Sequence, residues 1–158
     1  MLYLHGFDVL VVVVGNEAHA TKEFEVQKGI AEKLEIPVVD WEHFLHGEDE
    51  QKAGDCAIID AVFGVGLSRD VEGTYAAVLD WINKAETEWV LAVDMPSGIH
   101  SDTGAVMGTA VKADVTVTFG YEKMGSALYP GRGYCGQTEV CDIGFPELSR
   151  KKARAIHL

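Results

Sequence analysis

The alternation of hydrophobic and polar positions divides the chain into short apolar runs separated by amphipathic ones. The run "FDVLVVVVG" (7–15) is almost continuously apolar, the pattern of a parallel strand buried on both faces. After a loop over 16–20, "TKEFEVQKGIAEKLEI" (21–36) mixes charged and apolar residues at roughly helical spacing and predicts a helix. "PVVD" (37–40) predicts a short second strand, and "WEHFLHGEDEQKAGD" (41–55) a short helix followed by an acidic loop. "CAIIDAVFGVG" (56–66) is a third strand ending at Asp60, "TYAAVLDWINKAE" (74–86) a helix, and "EWVLAVD" (88–94) a fourth strand ending at Asp94. "ADVTVTFG" (113–120) and "TEVCDIG" (138–144) complete the series as fifth and sixth strands. Strands that alternate with helices predict right-handed βαβ units, and hence an α/β domain with a parallel sheet covered by helices. "MLYLHG" (1–6) reads as the end of a helix closed by Gly6, and "ELSRKKARAIHL" (147–158) stops in a basic, apolar segment. Both ends read as cut from something longer, so the expectation is one N-terminally incomplete domain over 1–149 and a tail or linker start over 150–158.

Composition narrows the partners. The 158 residues suit one domain with a real core. Thirteen Lys and Arg against 25 Asp and Glu give a net charge of −12, which argues against nucleic-acid backbone binding. A nucleotide ligand stays open, because backbone N–H groups can hold phosphate locally. The apolar run over 9–14 is too short to span a bilayer, and no signal-peptide pattern precedes it, so no membrane association is expected. Cys56, Cys135 and Cys141 show no CxxC spacing, which suggests neither a zinc site nor a disulfide framework and leaves a cytoplasmic location as the default.

The chemistry concentrates in two stretches of one pattern. In "AIIDAVFGVG" and "LAVDMPSG" an apolar strand ends in Asp and runs into a turn of small residues. The carboxyl ends of parallel strands line the ligand crevice of such sheets, so Asp60 and Asp94 would share a rim if their strands are neighbours. Two carboxylates there can bind a cation, or one can stay protonated through the other's charge and act as a general acid. Alternatively each merely accepts hydrogen bonds from its own following turn. Ser97 lies outside a G-x-S-x-G elbow, so a hydroxyl bonded to the turn, or an oxygen for a hard cation, fits better than a nucleophile.

"GVGLSRDVEG" (64–73) is a Gly-containing loop leading into a helix, with Glu72 expected in its first turn. Such a loop can cradle phosphate, or its glycines can serve positive-φ turn positions. Arg69 favours a phosphate, while Asp70 would cap the helix or bond a hydroxyl. No G-x-G-x-x-G follows the first strand, which removes the main support for a hydride-transfer dehydrogenase. Lys123 could face the crevice, but a solvated surface lysine is the simpler expectation. The histidines show no metal-ligand spacing: His43 and His46 belong on a solvated helix face, and His100 is an incidental loop residue.

Taken together, "DAVFGVGLSRDVEGTYAAVLDWIN", "VLAVDMPSGIHSDTG", "VKADVTVTFGYEKMG" and "DIGFP" resemble the NAD(P)H-hydrate epimerase family, the YjeF N-terminal domain, over nearly the whole chain. The resemblance implies a Rossmann-like three-layer α/β/α sandwich with a mostly parallel central sheet. It implies interconversion of the R and S forms of hydrated NADH and NADPH in nicotinamide nucleotide repair, beside a fused or separate dehydratase that consumes the S form. By position, Asp60 and Ser97 would be ligands of a potassium ion. Gly64, Val65, Gly66, Leu67, Ser68, Arg69 and Asp70, with Asp94, would contact the hydrated dinucleotide, and a homo-oligomer is expected. Asp94 is the candidate for the acid–base role in acid-assisted loss and return of the C6 hydroxyl, with Asp60 held charged by potassium. The family's N-N-G-G-D stretch, another part of that site, is missing here. The rivals are a non-catalytic binding or scaffold domain of this fold, an inactive fragment of a bifunctional epimerase–dehydratase, and a serine hydrolase using Ser97.

Overall fold

Thr21 starts the longest of the early elements: its hydroxyl accepts the Phe24 N–H at 3.2 Å, and α1 follows as Lys22–Lys33. Glu23 and Glu25 in its first turn and Lys33 in its last suit the helix dipole. Asp40 opens α2 (Trp41–His46) in the same way, accepting the His43 N–H at 2.8 Å. The computed structural model describes residues 2–16, 18, 20–47 and 56–145, and the acidic loop and tail expected from the sequence lie outside them.

β1 (Val11–Val13) and β2 (Val38–Asp40) form a parallel pair. β3 (Ala57–Asp60), β4 (Trp89–Val93), β5 (Val115–Phe119) and β6 (Gln137–Cys141) form a four-stranded parallel sheet in chain order. α3 (Gly73–Lys84) carries the crossover from β3 to β4, and the short α4 (Met124–Ala127) lies between β5 and β6. The α/β class and the parallel pairing are as the hydrophobic pattern predicts. The first strand is not: only three residues pair, all three stay half-buried, and Leu10 beside them is exposed. A continuous apolar run cannot report which of its faces is covered. "MLYLHG" is a 3₁₀ turn over Tyr3–His5, closed as expected by Gly6 at φ 85°.

In the four-stranded sheet, residues in register across parallel strands point to the same side. One face carries Ile58, Asp60, Val90, Ala92, Thr116 and Thr118, of which all but Ile58 are buried. The main core gathers there: Val78, Leu79 and Ile82 of α3 pack with Val90, Val111, Trp41 and Phe44. Trp41, Phe44 and Trp81 form an aromatic triad with ring centroids 5.0–5.8 Å apart. The opposite face carries Ile59, Trp89 and Phe119, each about two-fifths exposed. The connection from β4 to β5 (94–114) has no helix, yet most of its first half is buried around a second cluster of Met95, Ile99 and Ala110. Gly98 explains how so irregular a segment packs. A Cβ there would lie 2.0 Å from the Thr109 carbonyl oxygen and 2.6 Å from Ala110 Cα, and φ is +95°.

Candidate functional site

β3 and β4 are adjacent and parallel, with Asp60 opposite Ala92, so the two strand-terminal acids come to the same edge of the sheet. That edge is the carboxyl end, where open parallel sheets place their ligand crevice. The convergence expected of Asp60 and Asp94 is therefore present, but the two carboxylates occupy different surroundings.

Asp60 is only 1% exposed. Its Oδ2 accepts the Ser97 N–H at 2.7 Å, and its Oδ1 accepts the Ser97 hydroxyl at 2.6 Å and the Val62 N–H at 3.3 Å. Ser97 is as deeply buried and accepts the Phe63 N–H at 2.8 Å through the same hydroxyl. Burial pushes the Asp60 carboxyl above its ordinary value, and the bonds from the Ser97 hydroxyl, the Ser97 N–H and the Val62 N–H offset this only in part. The cause is burial, not the charge of Asp94, which corrects the expectation that one acid keeps the other protonated. Among the described residues no Lys, Arg or His forms an ion pair with Asp60. Its carboxylate and the Ser97 hydroxyl are hard oxygen donors in a dry setting that lacks positive charge, which is what a hard cation supplies. With its proton donated to Asp60 and its oxygen buried, Ser97 is not arranged as a nucleophile. His100, the nearest histidine in sequence, accepts the Asp102 N–H through Nδ1 at 3.2 Å.

Asp94 follows β4 in the left-handed region at φ 70°, a conformation Asp tolerates better than most residues but which still carries strain. It turns the side chain away from its own loop and toward β5. Oδ1 accepts the Phe119 N–H at 3.1 Å, the Thr118 hydroxyl at 3.3 Å and a close ion pair from Lys123 Nζ. Oδ2 accepts nothing among the described residues. The reading in which Asp94 caps its own following turn therefore does not hold, whereas for Asp60 the Val62 bond makes it partly right. Burial pushes the Asp94 carboxyl up, but the Lys123, Phe119 and Thr118 bonds outweigh it, and the group lies below the ordinary carboxylate value.

Lys123 corrects the expectation of a solvated surface lysine. Its ammonium also donates to Thr118 Oγ1 at 2.9 Å and to the Phe119 carbonyl at 3.0 Å, and its side chain is only 19% exposed. A signal existed in the sequence: Lys123 lies just past the end of β5, as Asp60 and Asp94 lie at the ends of β3 and β4.

The loop over 64–70 leaves β3 beside this rim. Leu67 is half-buried against the main core, and Val65 offers its carbonyl to the Ser101 hydroxyl at 3.2 Å. Ser68, Arg69 and Asp70 are exposed, as are Gly64 and Gly66. Neither glycine has positive φ, and a Cβ on either would meet nothing within 4 Å. The turn itself therefore requires no glycine at these positions. The N–H groups of Gly64, Val65, Gly66, Ser68, Arg69 and Asp70 donate to no acceptor among the described residues, as a phosphate cradle needs. Asp70 does not cap α3: Glu72 holds the N-cap position rather than the first turn, and makes no side-chain bond there. The site as a whole offers a fixed carboxylate with one oxygen that accepts nothing among the described residues, a buried pair of oxygen donors, and an open strip of backbone.

Comparison with known proteins bears on this arrangement. Residues 1–125 match the family model described as YjeF-related protein N-terminus. A protein named NAD(P)H-hydrate epimerase from Limosilactobacillus fermentum is 45% identical over 142 residues, covering 90% of this chain and 64% of that protein. One of the same name from Oenococcus oeni is 42% identical over 147 residues, covering 93% and 66%. The chain thus spans just under two thirds of the length of these relatives. A bifunctional NAD(P)H-hydrate repair enzyme from Thermofilum pendens is 43% identical over 129 residues, 82% of this chain and 24% of that one. The crystal structure of yeast ynu0 superposes with a TM-score of 0.75 at 18% identity, covering 95% of this chain and 61% of that one, and supports the fold.

Proposed function

This chain belongs to the family described as YjeF-related protein N-terminus, and from that premise we propose that it acts as an NAD(P)H-hydrate epimerase, interconverting the R and S forms of hydrated NADH and NADPH. The observation that carries the reading is the state of Asp94: at the carboxyl edge of the sheet its Oδ1 is held by three donors, its Oδ2 accepts nothing among the described residues, and the carboxyl is held ionised. In the hydrated ring the C6–O bond breaks with its electron pair going to oxygen. That oxygen takes a proton from solvent and leaves as water, while the lone pair of the ring nitrogen closes the nitrogen–C6 double bond. A fixed carboxylate stabilises the cation so formed. Water then adds to either face, re-forming C6–O, and its proton passes to Oδ2 of Asp94 and on to solvent. As a resting carboxylate, Asp94 takes the base half of the acid–base role.

Residues 64–70 would hold the pyrophosphate through the N–H groups of Gly64, Val65, Gly66, Ser68, Arg69 and Asp70, which donate to no acceptor among the described residues, with Arg69 as the nearby cation. A potassium ion belongs to the same proposal. Asp60 and Ser97 would hold it, and a buried carboxylate without an ion-pair partner among the described residues suits it. When bound, the ion supplies the positive charge that Asp60 lacks. A dehydratase would be the functional partner, and self-association to a homo-oligomer and a cytoplasmic location fit the same proposal. Among the described residues no helix is long and apolar enough to cross a membrane. The testing experiment mixes the chain with the pure R form of hydrated NADPH in potassium buffer and follows the S form by chromatography. Acceleration over the protein-free control is expected, and a rate equal to the control would overturn the reading.

A further inference from the structure

Every N–H of the Lys123 ammonium has an acceptor: Asp94 Oδ1, Thr118 Oγ1 and the Phe119 carbonyl. A lysine whose three protons are committed in this way has none left for a ligand, and three bonds on a four-carbon stem are costly in side-chain entropy for a merely solvated group. The three acceptors span two strands. Asp94 follows β4, while Thr118 and Phe119 end β5, so the ammonium ties the two strand ends together at the carboxyl edge of the sheet. Thr118 is fully buried, and its single hydroxyl proton is shared between Asp94 Oδ1 and the Tyr121 carbonyl, each 3.3 Å away, which fixes the turn that presents Lys123. Two other acids of the same part of the chain do not compete for the ammonium among the described residues. Asp60 is bonded to Ser97 and Val62, and Glu122 is exposed.

We propose that Lys123 is a positioning residue for the reaction, one that clamps Oδ1 of Asp94 so that Oδ2 alone meets the substrate, as a fixed and ionised base. The substrate in this proposal rests on the epimerase reading, whereas the clamp rests on the hydrogen bonds of Lys123. It also assigns the two oxygens of Asp94 different tasks: Oδ1 is paired with the Lys123 ammonium, and Oδ2 is the one available for the developing ring cation. Asp94 sits in the left-handed region, so its orientation would relax if the clamp were removed.

The test follows the Asp94 carboxyl carbon by NMR titration in the unaltered chain, in Lys123→Met and in Lys123→Arg. In the unaltered chain the midpoint lies below 3.8, and Lys123→Met raises it by about one pH unit or more. Lys123→Arg, which keeps the charge, brings it part of the way back. An Asp94 midpoint unmoved in Lys123→Met overturns the proposal. Should that variant fail to fold, the unaltered chain still decides: the Lys123 Cε resonance must shift at the midpoint of Asp94, and a Cε that does not sense that titration overturns the proposal equally. In the epimerisation assay the acid limb of the pH profile moves upward in Lys123→Met, with kcat falling more than KM rises. An unchanged limb also counts against the clamp. If the NMR midpoint moves while the unaltered chain epimerises nothing, the clamp stands and the epimerase reading falls.

Discussion

Asp60 and Asp94 are written alike in the sequence, each ending an apolar strand before a turn of small residues, yet the fold treats them oppositely. Asp60 is sealed in, bonded to Ser97 across 37 residues of sequence, and burial raises its affinity for a proton. Asp94 keeps contact with solvent, is clamped by Lys123, and its affinity for a proton is lowered. What separates them is the partner each strand end meets. β3 ends against the packed 94–98 loop, which offers neutral N–H and O–H donors. β4 ends against β5, which brings an ammonium. Matching local sequence therefore says little about charge state, and the difference suits the two tasks of the proposed reaction: Asp60 to hold a cation, and Asp94 to stay ionised and accept a proton in passing.

The largest expected effect separates the two in function. Asp94→Asn keeps the side-chain shape and the tolerance for positive φ, so the fold should persist while epimerisation falls on the order of a hundredfold or more. Retention of full activity would remove Asp94 from the reaction. Asp60→Ala should instead be felt in stability. It strands the Ser97 N–H, the Ser97 hydroxyl and the Val62 N–H, at a cost on the order of 3 kcal/mol in urea denaturation.

The contrast can be sharpened by pH. For Asp94 the folded value lies below 3.8, so between the two the unfolded chain binds more protons. Its contribution to stability is present above 3.8 and is lost as pH falls through the lower folded value. For Asp60 the folded value lies above 3.8, so between the two the native state binds more protons. Its contribution is present below 3.8 and is lost as pH rises through the higher folded value. Urea midpoints across the acid range should therefore fall less steeply on acidification in Asp94→Asn than in the unaltered chain, and more steeply in Asp60→Asn. Identical slopes in the two variants would erase the distinction.

Potassium should act on one acid only. Replacing a bulky organic cation by potassium at about ten times its dissociation constant should raise stability by about 1.4 kcal/mol, an increment that Asp60→Asn abolishes and Asp94→Asn leaves in place. The smallest effect on the fold is expected of Gly66→Ala. With ordinary φ and open space at Cβ, stability should change by no more than about 0.5 kcal/mol, while dinucleotide affinity measured by calorimetry drops. Unchanged affinity would take the loop out of the binding site.

Sequence alone determined the order of elements, because periodicity and local caps act within a few residues. Thr21 and Asp40 start their helices through bonds three residues away, and the apolar runs ending at Asp60 and Asp94 mark strand ends whose neighbours follow from the βαβ rule. That put the two acids on one rim on condition that their strands are neighbours, a condition the pairing of β3 with β4 met. It did not extend to what they touch. The Lys123 ion pair spans 29 residues and the Asp60–Ser97 bonds 37, and the need for Gly98 arises from Thr109 and Ala110. Nor could an unbroken run of valines say that β1 would remain half-covered. Spacing along the chain records which residues share an element. Burial and charge partnership depend on which elements meet, and here only the packing of β4 against β5 and of the 94–98 loop against β3 decided that one carboxylate would be sealed and the other clamped.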